Sequence, residues 1–253
     1  MESIIHRYRL DLEYDGSSYH GFQIQKNTNL KTIEKSIVDA LFKLLNQQII
    51  ISVSGRTDTG VHAICQTIHF DLNQYFSEYK LKSGINYYLK KANDHISIKN
   101  CMIVDLNFHA RLSAKMRHYQ YRIINRDHYL AIDRNRAWHI AKDIDLNQMK
   151  IASEQLLGKH DFSSFRDADC QAKNPIKTIE KLEVIKNDQL IIINISAKSF
   201  LHHMVRNITG TLVYFGLGKY KNINMQEIID AKDRTKSGPN APAYGLYFLR
   251  TDY

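Results

Sequence analysis

Two hydrophobic periods alternate along this chain, and nothing that reads as a linker separates the stretches that carry them. Tyr8, Leu10, Leu12 and Tyr14 fall on every second residue, the spacing of a strand with one buried face. Ile33, Ile37, Leu41, Leu44 and Leu45 recur at helical spacing and predict a helix from about Thr32 to Asn46. A chain that switches period this way must stack helices on sheet. Between them, Asp15-Gly16-Ser17-Ser18 reads as a turn. Ile49 to Val53 predicts a short strand ending at Gly55, and Ile64, Ile68 and Phe70 predict another. Leu81, Ile85, Tyr88 and Leu89 predict a second helix with Ser77 as its cap, and Ile96 to Val104 a further strand.

The later sequence repeats the alternation. Tyr119, Tyr121 and Ile123 share one face of a strand whose other face carries His118, Gln120 and Arg122. Asp145 can cap a helix bearing Leu146, Met149, Ala152 and Leu156, closed by Gly158. Ile179 to Ile185 and Leu190 to Ile195 read as strands around an Asn187-Asp188 turn. Phe200, Met204, Ile208 and Leu212 make a helical stripe, and Gly245 to Arg250 a last strand. The expected fold class is α+β with a largely antiparallel mixed sheet. At 253 residues the chain fits one large domain or two fused halves sharing a core.

Charge narrows the partners. Lys and Arg number 35 against 26 Asp and Glu, a formal net charge of +9. An excess of that size steers a protein toward a polyanion, nucleic acid first and an anionic membrane second. No apolar run approaches the roughly 20 residues of a spanning helix, and the first ten residues lack a signal peptide's apolar block. Cys65, Cys101 and Cys170 are far apart and odd in number, which predicts no disulfide framework and a reducing cytoplasm.

The segment with most chemistry is Ser54-Gly55-Arg56-Thr57-Asp58-Thr59-Gly60-Val61-His62-Ala63. Glycines bracket a loop after a short strand, and between them lie an Arg and an Asp. Rigid loops at strand ends often hold reactive groups. On the residues alone, a structural turn with Asp58 bonding nearby amides is the simpler reading. The spacing of a phosphate-cradling GxxxxGK[ST] loop is absent.

The same segment closely resembles the signature of the tRNA pseudouridine synthase A family. Four other blocks resemble that family in the right order. They are Tyr14-Asp15-Gly16 with Tyr19, Gly21 and Gln23-Ile24-Gln25; Phe108-His109-Ala110-Arg111 through Tyr119-Gln120-Tyr121; Phe200 to Asn207; and Ala231-Lys232-Asp233-Arg234-Thr235 through Gly245-Leu246-Tyr247. The resemblance implies a pseudouridine synthase fold of two α/β halves around a central basic cleft. Here that means an N-terminal half, 1–105, carrying the Asp loop, and a C-terminal half, 106–253, packed with it as one catalytic body. It implies isomerisation of uridine to pseudouridine at positions 38, 39 and 40 of transfer RNA, by a homodimer that needs no cofactor and no metal.

The resemblance also assigns roles. Asp58 becomes the catalytic carboxylate. Arg206 becomes its cationic support, suited by its planar fork, although an exposed helix charge is the plainer alternative. Arg56 helps hold the flipped nucleotide. Tyr119 becomes the substrate contact, a ring on which a base can stack, or else a core tyrosine. Phe108, His109, Ala110, Arg111 and Leu112 become one RNA-binding stretch. Asp169, Cys170, Gln171, Ala172 and Lys173 become a second. Several positions depart from the family's pattern: Phe22 replaces Trp, Thr59 replaces Ala, Cys65 stands where Gly is frequent, Leu112 replaces Phe and Lys177 replaces Arg. Lys177 loses the two-pronged geometry of Arg.

The histidines point to no metal site. His62, Cys65 and His69 could be drawn as a zinc cluster, but no partner pair supplies the four ligands a structural site needs. His202 and His203, on a predicted helix, would point about 100° apart, which leaves at least one as a hydrogen-bonded packing residue.

Overall fold

The computed structural model describes residues 4–25, 28–168, 170 and 172–253. It is α+β, with helices packed on mostly antiparallel strands, and divides into two compact units: 1–115 with 248–253, and 116–247. Among the described residues no helix is long and apolar enough to cross a membrane.

In the first unit β1 (His6–Tyr14) lies between two antiparallel neighbours, β3 (His62–Leu72) and β4 (Ile96–Val104). The alternating residues of β1 turn inward as expected: Tyr8, Leu10 and Leu12 are fully buried and Tyr14 nearly so. Helix α1 (Ile33–Leu45) starts where Thr32 accepts from the Lys35 amide and stops at Asn46 in the left-handed region. Helix α2 (Glu78–Lys91) is capped by Ser77. It is tied to β4 by the paired bonds Asn86 Nδ2 to Ile98 O, 2.9 Å, and Ile98 N to Asn86 Oδ1, 2.8 Å.

The predicted strand over Ile49 to Val53 shortens to β2 (Ser52–Val53), paired with β3. Ile49 and Ile51 are buried while Ile50 is exposed. Alternation there reports which side chains face inward, and not which backbone groups find a partner strand.

In the second unit β5 (Met116–Asn125) is followed by a short parallel partner, β6 (Trp138–Ile140). Helix α3 (Leu146–Glu154) starts at Asp145, which accepts from the amides of Asn147 and Gln148. It ends earlier than expected: Gly158, with φ of 89°, opens β7 (Gly158–Asp161) instead of closing the helix. β8 (Ile176–Asn187) and β9 (Leu190–Ala197) form the expected hairpin, with Asp188 left-handed in its turn. Antiparallel pairing then runs β5, β9, β8, β7.

Helix α4 (Met204–Gly216) is buried nearly all round, as a helix without a polar face must be. The segment after α5 (Met225–Ala231) wraps it closely enough that a Cβ on Gly210 would lie 1.8 Å from the Pro239 carbonyl oxygen. The predicted stripe began too early. Phe200, His202 and His203 precede the helix, and His203 is its N-cap residue at φ of 59°. The last strand, β10 (Leu246–Asp252), starts in the second unit and ends in the first.

Candidate active site

The loop from β2 to β3 is held from two directions. From behind, the fully buried Gln66 side chain grips its first residues. Its Oε1 accepts from Ser54 Oγ at 2.6 Å, and its Nε2 donates to Gly55 O at 2.8 Å. Thr251 Oγ1 adds a 3.0 Å bond to Ser54 Oγ. From the front, the segment after β1 closes over the loop. Phe22 N donates to Thr57 O at 3.0 Å, Gly60 N to Tyr19 O at 3.3 Å, and Gly16 N to His62 Nδ1 at 3.1 Å. The approach is so close that a Cβ on Gly16 would lie 2.0 Å from Val61 O. Gly21, at φ of +83°, has room for a Cβ only 2.9 Å from Thr57 O. Both positions therefore require glycine.

Within this frame Val61 N donates to Asp58 O at 3.2 Å, and Gly60 takes φ of 80°. Asp58 is half-buried, Arg56 and Thr59 are exposed, and Thr57 is buried with its hydroxyl 2.8 Å from that of Tyr14. The arrangement fixes the backbone on both sides of a carboxylate that still reaches the surface. His62 and His69, the histidines of the drawn zinc cluster, each use Nδ1 to accept a backbone amide, from Gly16 and Ala110.

Residues 108–112, the first stretch expected to meet RNA, lie in the same unit and are themselves scaffolded. Arg7 holds Asp71 through two bonds of 2.7 Å, which keeps that carboxyl below its ordinary range, and donates to Phe108 O at 2.8 Å. The Phe108 ring packs on Tyr253, 4.8 Å between centroids, while Tyr253 donates its hydroxyl to Ala110 O. His109 Nδ1 accepts the amides of Arg111 and Leu112, folding the turn so that both of those side chains are exposed.

His69 buttresses that turn as a neutral ring. Burial, followed by the neighbouring His109 and Arg7, pulls its pKa down to about 4 from 6.5. An unfolded His69 takes up its proton below about pH 6.5, and the folded one only near 4. Its contribution is therefore complete above pH 6.5 and is lost as pH falls toward 4. We expect His69→Gln to flatten the fall in melting temperature between pH 6.5 and 4.5 by the equivalent of about 1–2 kcal/mol after solvent screening. Melting curves at several pH values for both proteins check this, and parallel profiles would contradict it.

In the second unit Tyr119 is 9% exposed on β5, edge-on to Phe200 at 5.2 Å. Arg206, half-buried in the first turn of α4, donates through Nε to Ala241 O at 2.7 Å. Of the second stretch expected to meet RNA, Asp169 and Gln171 lie outside the described residues. Cys170 is buried, Ala172 half-buried and Lys173 exposed. Burial pushes the Cys170 thiol up, but the amides of His202 and Ala172 and the Arg166 guanidinium pull harder, leaving its pKa below the ordinary thiol value. Arg166, which the sequence reading missed, also donates to Cys170 O at 2.7 Å. Lys177, lowered in pKa chiefly by burial, donates to Asn174 O at 2.7 Å. His202 and His203 do not diverge as helical neighbours would, because they are not helical. Their rings stack at 3.9 Å, and His203 Nδ1 lies 2.6 Å from Asp167 Oδ2.

A basic α+β chain with a carboxylate on a braced Gly-Arg-Thr-Asp loop matches the family model described as tRNA pseudouridine synthase, over residues 12–112 and 152–253. The chain belongs to the tRNA pseudouridine synthase family. It is 44% identical to the tRNA pseudouridine synthase A of Anaplasma phagocytophilum (strain HZ) and 46% identical to that of Ehrlichia canis (strain Jake). Each match covers 98% of this chain and all of the relative. A chain of a crystallised Cbf5-Nop10-Gar1 complex shows a remote likeness: TM-score 0.37 and 9% identity, over 95% of this chain and 57% of that one.

Proposed function

We propose that this protein isomerises uridine to pseudouridine at positions 38, 39 and 40 in the anticodon stem and loop of transfer RNAs, with Asp58 as the essential carboxylate and no cofactor. The observation that carries the reading is the double bracing of residues 54–63 around a half-buried Asp58, in a chain whose relatives at 44% and 46% identity bear the name tRNA pseudouridine synthase A.

The reaction breaks the bond from uracil N1 to C1′, turns the base, and joins C5 to C1′. C5 gives up its proton and N1 gains one, so no atom or electron is exchanged with another reactant. Charge develops at C1′ and on the detached base, and a carboxylate carried on a braced loop can attack the sugar or stabilise that charge. Arg206 and Arg56 support the site, and Tyr119 contacts the substrate base. Arg111 and Lys173 supply cations within the two RNA-binding stretches. The enzyme works as a homodimer in the cytoplasm.

Incubating unmodified transfer RNA with the protein and mapping pseudouridine tests the reading. New pseudouridine is expected at 38, 39 and 40. Free uracil, strand cleavage or unmodified product would overturn it. Affinity for transfer RNA is expected to fall with salt by about 0.7 to 0.9 log units per log unit of salt for each phosphate neutralised. A titration series at several salt concentrations reads this, and a flat response would contradict the phosphate contacts.

A further inference from the structure

Tyr14 closes β1 with its ring buried, and its side chain fits the inward face begun by Tyr8, Leu10 and Leu12. A phenylalanine would fill that space, so the ring alone does not account for the hydroxyl. That hydroxyl lies 2.8 Å from Thr57 Oγ1, and Thr57 is 7% exposed. Removing one member of a buried hydroxyl pair leaves the other without its partner, which costs far more than the pair gains over water.

Thr57 is the residue immediately before Asp58. Its carbonyl accepts from Phe22 N at 3.0 Å, so the side-chain bond from Tyr14 and the main-chain bond from Phe22 fix it at two separate atoms. On the far side of Asp58 the backbone is held by Val61 N to Asp58 O and Gly60 N to Tyr19 O. These anchors fix the backbone on both sides of Asp58, and of those named here the one from Tyr14 joins two side chains.

We propose that Tyr14 is a positioning residue for Asp58, acting through the Thr57 hydroxyl. The proposal rests on Asp58 being the catalytic carboxylate. The chemistry of the phenol suits the task. Burial pushes its pKa up to about 12, against hydrogen bonds from Thr57 and Gln66, and the negative charge of Asp58 adds to the rise. The phenol therefore stays neutral throughout the working range and brings no second anion beside Asp58.

The test is the single-turnover rate of tritium release from transfer RNA labelled at uracil C5, with enzyme in excess, alongside the dissociation constant and the melting temperature. Tyr14→Phe is expected to slow release about 10-fold, since an ångström of misplacement can cost on the order of 100-fold, with affinity within about 2-fold. Thr57→Val should show the same loss, Thr57→Ser should recover most of the rate, and the Tyr14→Phe/Thr57→Val double variant should lose no more than the worse single. Release within about 2-fold of wild type in Tyr14→Phe, whatever its melting temperature, overturns the proposal. Losses that multiply in the double variant overturn the route through Thr57. If Tyr14→Phe fails to fold, the contrast of Thr57→Val with Thr57→Ser decides the matter in the same terms. A wild-type protein that releases no label overturns the reading of Asp58 itself, which separates the two failures.

Discussion

Asp58→Asn is expected to bind transfer RNA within an order of magnitude of the wild type and to form pseudouridine at least about 1,000-fold more slowly. The substitution keeps the shape of the side chain and removes its charge and nucleophilic oxygen. The backbone bonds that hold the loop, Phe22 N to Thr57 O, Gly60 N to Tyr19 O and Val61 N to Asp58 O, do not use the carboxylate, so the fold should persist, and with it the proposed contacts to RNA. Removing a single preorganised charge-stabilising group already costs 100- to 1,000-fold in other enzymes, and a group that also forms a bond costs more. Single-turnover rates with equilibrium binding read the two effects separately. Retained turnover would end the catalytic assignment and leave an RNA-binding module.

The largest stability effect is expected from Gly210→Ala. Alanine favours a helix interior over glycine by about 1 kcal/mol, so on propensity alone the change should stabilise α4. The new Cβ, however, would sit 1.8 Å from Pro239 O and 2.9 Å from Pro239 C, both backbone atoms. The segment must retreat by more than an ångström, and it carries the bonds Gly238 N to Thr211 Oγ1, 2.8 Å, and Ala241 N to Arg206 O, 3.2 Å. Overpacking costs about 1–3 kcal/mol and each buried bond about 1 kcal/mol more. The net loss should be about 3 kcal/mol, or about 10 °C in melting temperature. An unchanged or raised melting temperature would mean that α4 is not gripped there.

Much of the fold was legible because strong periodicity and capping agreed. Thr32, Ser77 and Asp145 each accept the backbone amides their positions suggest, and the β8–β9 hairpin turns at Asp188 as read. What escaped was short or polar. β7 is four residues with no apolar side chain, and β6 is three. Helix α5 could have been found, since Asn224 and Glu227 form a reciprocal capping box ahead of Ile228 and Ile229. His202 and His203 were misplaced because an apolar stripe shows which residues share a face and says nothing of where the backbone first turns helical.

The site divides in the same way. The Gly-Arg-Thr-Asp loop stood out by composition, and its resemblance to a family supplied the role of Asp58. What escaped was the bracing itself: Tyr14 was read as a strand residue and as part of a family-like block, Gln66 was not singled out, and both reach the loop through the fold rather than through any spacing in the chain. Gly16 and Gly21 left a local trace of it, read as a turn and as part of a motif. Their reason is the backbone of residues 57–61 passing within contact distance.

Release of tritium from C5 of uracil, read beside the pseudouridine formed, tests the central claim most directly, because joining C5 to the sugar must set that hydrogen free while leaving the strand whole. With transfer RNA lacking modification and labelled at C5, the wild-type protein should release label into water in step with pseudouridine formed, and Asp58→Asn should release none above background. Label retained in the RNA, or recovered in free uracil, would contradict the account.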